Sequence, residues 1–258
     1  MEKKIYIGST DHVRLCALLA DVSPDQIVVL CHGIRSDKDE CGAFAPLAKA
    51  LQERGYSTLR VDFRAQGEST GIDYEMTISK EIEDVESILT FLTERGYREM
   101  IVLGASFGAS IVSLVDYLRF DCVKGLVLWY GALDNYGVLR TDDFLSERNR
   151  ETALRDGFCP TYSSDGKLFR FGLPLFDEID QYKPRESLQA VSLPKLFVHG
   201  LADEVVPCRV SEEAYSRCSN ARLELIENGS HTFDTDRGAL AAAIEKTVDF
   251  VDQVFGSV

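Results

Sequence analysis

The 258-residue chain predicts an α/β fold: a mostly parallel, eight-stranded sheet flanked by helices on both sides, with an inserted cap. Three observations carry this. Short apolar runs of strand length alternate with segments whose apolar residues recur at helical spacing. Runs such as Gln26–Cys31 and Leu193–Gly200 are almost continuously apolar, as parallel strands covered on both faces are. The residues suited to chemistry fall just after such runs, where open α/β sheets place their sites.

In chain order, residues 3–8 and 12–20 read as an opening hairpin turned by Ser9-Thr10-Asp11, with His12 in the second strand and no acidic or thiol partner nearby. A strand at 26–31 precedes a helix near 41–54, whose buried face includes Phe44, Leu47 and Leu51. A strand at 57–62 leads into the Arg64–Ser69 loop. Thr77 and Ser79 offer caps for a helix on which Ile78, Ile82, Val85, Leu89 and Leu92 recur at helical spacing. Strands then follow at Glu99–Gly104, Val123–Tyr130, Leu193–Gly200 and Arg222–Glu227, and a final helix covers about 236–255 with Leu240, Ile244, Val248 and Val251 on one face. There is no internal repeat and no low-complexity segment.

The interval 132–190 breaks the rhythm and is far longer than an ordinary connection. It is rich in aromatics (Phe144, Phe158, Tyr162, Phe169, Phe171, Phe176, Tyr182), with turn chemistry at Asp165-Gly166. Residues 1–131 and 191–258 are therefore expected to form the core, and 132–190 an inserted lid over it. Such a lid either merely covers the sheet or forms an apolar acyl pocket. Asp134, Tyr162 and Phe171 are its candidate substrate contacts.

The chemistry begins at Gly104-Ala-Ser-Phe-Gly108, between an apolar strand and a helix-like segment. A serine hydroxyl is a poor nucleophile unless a tight strand-to-helix elbow holds it exposed beside a base, and the flanking glycines tolerate that backbone. Asp203 follows a strand end, and Asn228-Gly-Ser-His231 follows the last strand, so the order is Ser106, Asp203, His231. That order belongs to the α/β-hydrolases rather than to chymotrypsin-like or subtilisin-like enzymes. The strand ending in His32-Gly33 supplies the other half of an oxyanion hole, with the backbone N–H groups of Ile34 and Phe107 as donors. His32 and His199 each precede a glycine at a strand end and read as structural. Glu204 is the rival to Asp203. The pattern predicts that Ser106 attacks an ester carbonyl, His231 takes its proton and Asp203 orients the imidazole, with no metal or organic cofactor.

These residues identify a resemblance. His32-Gly33 with Ser36-Asp-Lys-Asp-Glu40, Asp62-Phe-Arg-Ala-Gln-Gly-Glu-Ser69, the elbow, His199-Gly-x-x-Asp203 and Gly229-Ser-His231 make the chain similar to α/β-hydrolases over nearly its whole length. It most resembles the small bacterial carboxylesterases that include cinnamoyl (feruloyl) esterases. It departs from them at Ala65, where glycine is frequent, and at Ala105, where the elbow commonly has histidine. The resemblance implies hydrolysis of a small ester with an apolar or aromatic, cinnamoyl-like acyl group. The same machinery would serve an acyl thioesterase or lysophospholipase, or a serine aminopeptidase; a non-catalytic ligand receptor on the same scaffold is the reading from another class, and the intact Ser106, Asp203 and His231 argue against it. Ser106 in place of Asp argues against a dehalogenase or epoxide hydrolase.

Composition agrees. The formal charge, 28 − 42 = −14, disfavours nucleic acid and anionic membranes as partners. No apolar run approaches the roughly 18 residues that suggest a membrane span, and the amino terminus has no long apolar signal region. Seven cysteines without a Cys-x-x-Cys pair match neither a zinc site nor a disulfide framework, and read as reduced thiols in a cytoplasmic protein. Cys31 is a core residue by pattern, while Cys41 and Cys208 are the candidates for reactivity. A small-molecule ester is the expected partner, and a homodimer is compatible with the sequence.

Overall fold

The structure, a computed structural model, describes residues 1–163 and 166–256, so Asp165 of the expected Asp165-Gly166 turn lies outside the described residues. The chain opens with β1 (Lys3–Gly8) and β2 (Arg14–Ala20), joined through a 3-10 turn at Thr10–His12. It continues through β3 (Gln26–Cys31), α1 (Phe44–Glu53), β4 (Ser57–Val61), α2 (Ile78–Glu94), β5 (Glu99–Ala105), α3 (Phe107–Leu114) and β6 (Val123–Trp129). The interval after β6 holds α4 (Glu147–Asp156), β7 (Phe158–Tyr162), β8 (Leu168–Gly172), α5 (Leu173–Glu178) and α6 (Pro184–Ala190). The chain closes with β9 (Lys195–Gly200), α7 (Arg209–Tyr215), β10 (Ala221–Ile226) and α8 (Arg237–Phe255).

Among the described residues, eight strands form one sheet in the order β1-β2-β4-β3-β5-β6-β9-β10, while β7 and β8 pair apart as an antiparallel hairpin. The β1/β2 and β2/β4 pairs are antiparallel, and the other five pairs are parallel. From β3 the chain runs outward to β4, then returns to place β5 on the other side of β3. The strand order therefore reverses between β3 and β5, which opens a crevice at their carboxyl ends. Their register pairs Cys31 with Gly104, so the loop after β3 and the turn after β5 start side by side.

Alternation along the parallel strands divides the core in two. Val28, Leu30, Ile101, Leu103, Trp129 and Val198 face α1 and α8, while Val29, Cys31, Val102, Leu128 and Phe197 face the side covered by α2 and α3. Full burial of side chains of this kind stabilises the fold by about 1.5–3 kcal/mol each. Arg170 of β8 donates from its backbone N–H and its Nε to Asp73 Oδ2, and Glu178 of α5 accepts from the Ser79 N–H and hydroxyl. These contacts bind the 132–190 segment to the start of α2 and to the turn before it. Its last helix, α6, packs against α3.

Several local expectations change. His12 lies in the turn rather than in β2, with φ of 60°. Helix α1 begins at Phe44 because positive φ values at Cys41 and Gly42 shape a separate 3-10 turn before it. Thr77 caps α2 by accepting the Lys80 N–H, whereas Ser79 is engaged by Glu178. Helix α4, helix α7 and the β7–β8 hairpin had no periodic signal. In α4 only Ala153 is buried, so no apolar stripe announces it.

Candidate active site

Ser106 stands at the crevice between β3 and β5, between the end of β5 and the start of α3. Its φ of 52° and ψ of −118° lie outside the regions most side chains adopt, as a nucleophile elbow requires. The Ser106 N–H donates to the Trp129 carbonyl, and its carbonyl accepts from Ala132, which ties the strained residue to the end of β6 and the chain just beyond it. The flanking glycines are dictated by space. A methyl group on Gly104 would lie 2.5 Å from the Gly108 carbonyl oxygen, and one on Gly108 would lie 2.3 Å from that of His32. Gly108→Ala is accordingly expected to lose about 3 kcal/mol or more of stability, seen as a fall in Tm of roughly 6–12 °C in a thermal melt.

The three side chains singled out from the sequence come together. His231 Nε2 is 3.0 Å from Ser106 Oγ, and His231 Nδ1 is 2.8 Å from Asp203 Oδ2. Asp203 is buried, and its Oδ1 accepts the N–H groups of Val205 and Val206. Burial by itself would raise the Asp203 pKa. The hydrogen bonds from His199, His231 and Val206 outweigh it and hold the carboxyl well below the usual carboxylate range. Glu204 is exposed and its neighbour faces the histidine.

His199 proves to be part of this cluster. Its Nε2 lies 2.8 Å from the Val206 carbonyl and 3.1 Å from Asp203 Oδ2, so an N–H at Nε2 serves both. Its Nδ1 lies 2.7 Å from Ser211 Oγ. Asp203 thus accepts from two imidazoles. The i, i+4 spacing of His199 and Asp203 across a strand end was the available signal. Tyr130 had none: its ring centroid is 4.8 Å from that of His231, and its hydroxyl reaches the buried Glu40 at 3.3 Å. Burial, and then the Glu40 carboxylate, push the Tyr130 pKa far up, so it stays a neutral phenol.

The loop after β3 runs against Ser106. A methyl group on Gly33 would lie 3.0 Å from Ser106 Cβ. His32 accepts the Phe63 N–H at Nε2, which leaves Nδ1 to donate to the Gly33 carbonyl, and Glu40 accepts the Gly33 N–H. The Arg35 N–H donates to Gln66 Oε1, and Gln66 donates onward to the buried Glu81. Burial, and then the nearby Asp84, raise the Glu81 pKa well above its usual value. Ile34, whose N–H is one of the two expected oxyanion donors, is therefore bracketed by anchored residues. Phe107 opens α3, where the first N–H groups have no intrahelical acceptor.

The residues expected to contact substrate lie apart. Asp134 accepts the Val138 N–H and closes a local turn. Phe171 is buried edge-on against Phe169, and Tyr162 is exposed on the rim of a cleft of about 640 Å³. A second cleft of about 340 Å³, lined by Gln66, Leu168 and Phe169, lies between the loop after β3 and the cap hairpin. Arg35 lines both clefts. The one grouping of metal-type donors among the described residues, Cys16, Asp62 and Glu68, faces the Lys38 ammonium, which bonds Asp62 at 2.8 Å and Glu68 at 3.1 Å. Among the described residues, no helix is long and apolar enough to cross a membrane.

Comparison with known proteins fits this architecture. The family model described as serine aminopeptidase, S33, matches residues 22–137. The YDL057W protein of Saccharomyces cerevisiae is 24% identical over 254 residues, covering 86% of this chain and 74% of that protein. The mitochondrial palmitoyl-protein thioesterase ABHD10 of Bos taurus is 26% identical over 182 residues, covering 69% of this chain and 58% of that protein. Among solved structures, Est1E from Butyrivibrio proteoclasticus with ferulic acid bound matches with a TM-score of 0.83 at 21% identity, covering 98% of this chain and 100% of that chain. Sheet order, an elbow at the point where that order reverses, and these likenesses lead to one conclusion: the chain has the α/β-hydrolase fold.

Proposed function

We propose that the protein is a serine hydrolase that cleaves carboxylic esters through an acyl-enzyme, with Ser106 as nucleophile, His231 as general base and Asp203 as the group that orients it. The observation that carries this reading is the continuous chain of contacts, 3.0 Å from Ser106 Oγ to His231 Nε2 and 2.8 Å from His231 Nδ1 to Asp203. His231 takes the hydroxyl proton as Oγ bonds to the ester carbonyl carbon, and Asp203 stabilises the imidazolium. The N–H groups of Ile34 and Phe107 receive the oxyanion, and one such donor is worth about 3–4 kcal/mol of barrier. The imidazolium then gives its proton to the departing alkoxide. Water, activated by the same imidazole, releases the acid from Ser106.

The acyl group we assign is small and apolar or aromatic. Est1E is a solved structure holding ferulic acid, and the cleft beside the oxyanion loop here presents Leu168 and Phe169. A thioester is the second reading, favoured by the relative named as a palmitoyl-protein thioesterase. It requires the same residues and a better leaving group.

The test is a substrate panel run with an active-site label. Short and long 4-nitrophenyl esters, methyl ferulate, an acyl thioester and an aminoacyl anilide are offered to the protein, and a fluorophosphonate probe reports the reactive serine. Hydrolysis of the aryl or feruloyl esters, with the probe attached to Ser106, is the expected result. Preference for the thioester moves the assignment to a thioesterase, and preference for the anilide moves it to an aminopeptidase. Folded protein that hydrolyses nothing and takes no label overturns the enzyme reading.

A further inference from the structure

Among the described residues, Arg35 is set apart by having no carboxylate oxygen within ion-pair distance. Seven arginines among the described residues are at least partly buried: Arg35, Arg60, Arg64, Arg150, Arg170, Arg185 and Arg222. Six of them have a carboxylate oxygen within 4.0 Å, as in Arg60 with Glu2 or Arg64 with Asp84. Arg35 has none, in a chain whose formal charge is −14. An uncompensated charge withdrawn from water costs several kcal/mol, so a fold with acids to spare ordinarily pairs it.

The guanidinium is held in place by neutral groups, with the Asp143 carboxylate acting on it only from beyond ion-pair distance. Nη1 donates to Thr161 Oγ1 at 2.6 Å and to the Asp143 carbonyl at 3.2 Å, and Cζ lies 4.2 Å from the centroid of the Phe144 ring. These contacts orient the plane and offset part of the desolvation. Nε is buried with no acceptor. A guanidinium takes a carboxylate through two parallel hydrogen bonds from one edge, and Nη2 is left without an acceptor among the described residues. The backbone is fixed as well, with φ of 61° and the N–H given to Gln66. Position adds the functional link: Arg35 directly follows Ile34, and its side chain borders the clefts of about 340 and 640 Å³.

We propose that Arg35 binds a carboxylate carried by the substrate, so that the ester hydrolysed has a free acid group on either its acyl or its alcohol part. This rests on the serine-hydrolase reading above and names the substrate class within it. A single carboxylate fits better than a phosphate. Asp37, Asp39 and Lys167 border the smaller cleft and Asp142, Asp143 and Glu204 the larger, where these acids repel a more highly charged ligand.

Two matched pairs locate the acid. Mono-4-nitrophenyl adipate and its methyl ester test the acyl side, and 4-(butanoyloxy)benzoate and its methyl ester test the alcohol side, each measured above the spontaneous rate. In the wild type, one pair is expected to favour the free acid by about tenfold or more in kcat/KM, expressed in KM. Arg35→Gln should bring that ratio to one or below, while Arg35→Lys, which keeps the charge and loses the fork, should retain part of it. The ratio is taken within each protein, so a general loss of activity in a variant cancels. A wild-type ratio at or below one on both pairs overturns the proposal, as does an Arg35→Gln ratio equal to that of wild type. In either case, Ser106-dependent hydrolysis of the methyl esters leaves the serine-hydrolase reading standing. Absence of both hydrolysis and fluorophosphonate labelling overturns the two together.

Discussion

Ser106→Ala is expected to lower kcat/KM for the preferred aryl ester by about 10⁴ to 10⁶. Removing Oγ deletes the atom that becomes bonded to the acyl group, and neither the imidazole nor the oxyanion donors can replace it. Stability should change little, because among the described residues the Ser106 hydroxyl hydrogen-bonds only His231, at 3.0 Å, while the elbow is held by backbone hydrogen bonds to Trp129 and Ala132. Parallel measurement of ester hydrolysis, fluorophosphonate labelling and thermal unfolding checks this. A variant with wild-type turnover would place the nucleophile elsewhere.

Asp203→Asn should cost about 10⁴ in kcat/KM, through the direction of one proton. The two backbone N–H donors at Oδ1 would retain the amide oxygen there. The amide NH₂ would then face both His231 Nδ1 and His199 Nε2, which the carboxylate now receives as donors at 2.8 and 3.1 Å. His231 would answer by moving its proton to Nε2, toward Ser106, and so lose the lone pair it needs as a base. Glu204→Gln changes an exposed acid and should alter kcat/KM by less than about threefold, within the range of ordinary surface substitutions. The reverse pattern between the two variants would move the orienting acid to Glu204.

Much of this architecture was legible because it rests on local rules. Continuous apolar runs such as Gln26-Ile-Val-Val-Leu-Cys31 can be covered only on both faces, and the alternation with helical segments then leaves a mostly parallel sheet. The elbow was readable from its glycines, because the space beside Gly104 and Gly108 admits no side chain. Ser106, Asp203 and His231 were readable because a strand end is a position in the sequence as well as in space.

What the sequence determined by itself is therefore the fold class, the strand-end positions and the three side chains with an order that suits them. Tertiary structure decided the rest, since non-local contacts leave no period or spacing behind. The Tyr130 ring beside His231 and the chain from Glu81 through Gln66 to Arg35 join residues far apart in sequence. Arg35 shows the limit most plainly: a charge has meaning only through its neighbours, and whether an arginine is paired or left open is settled when distant segments meet.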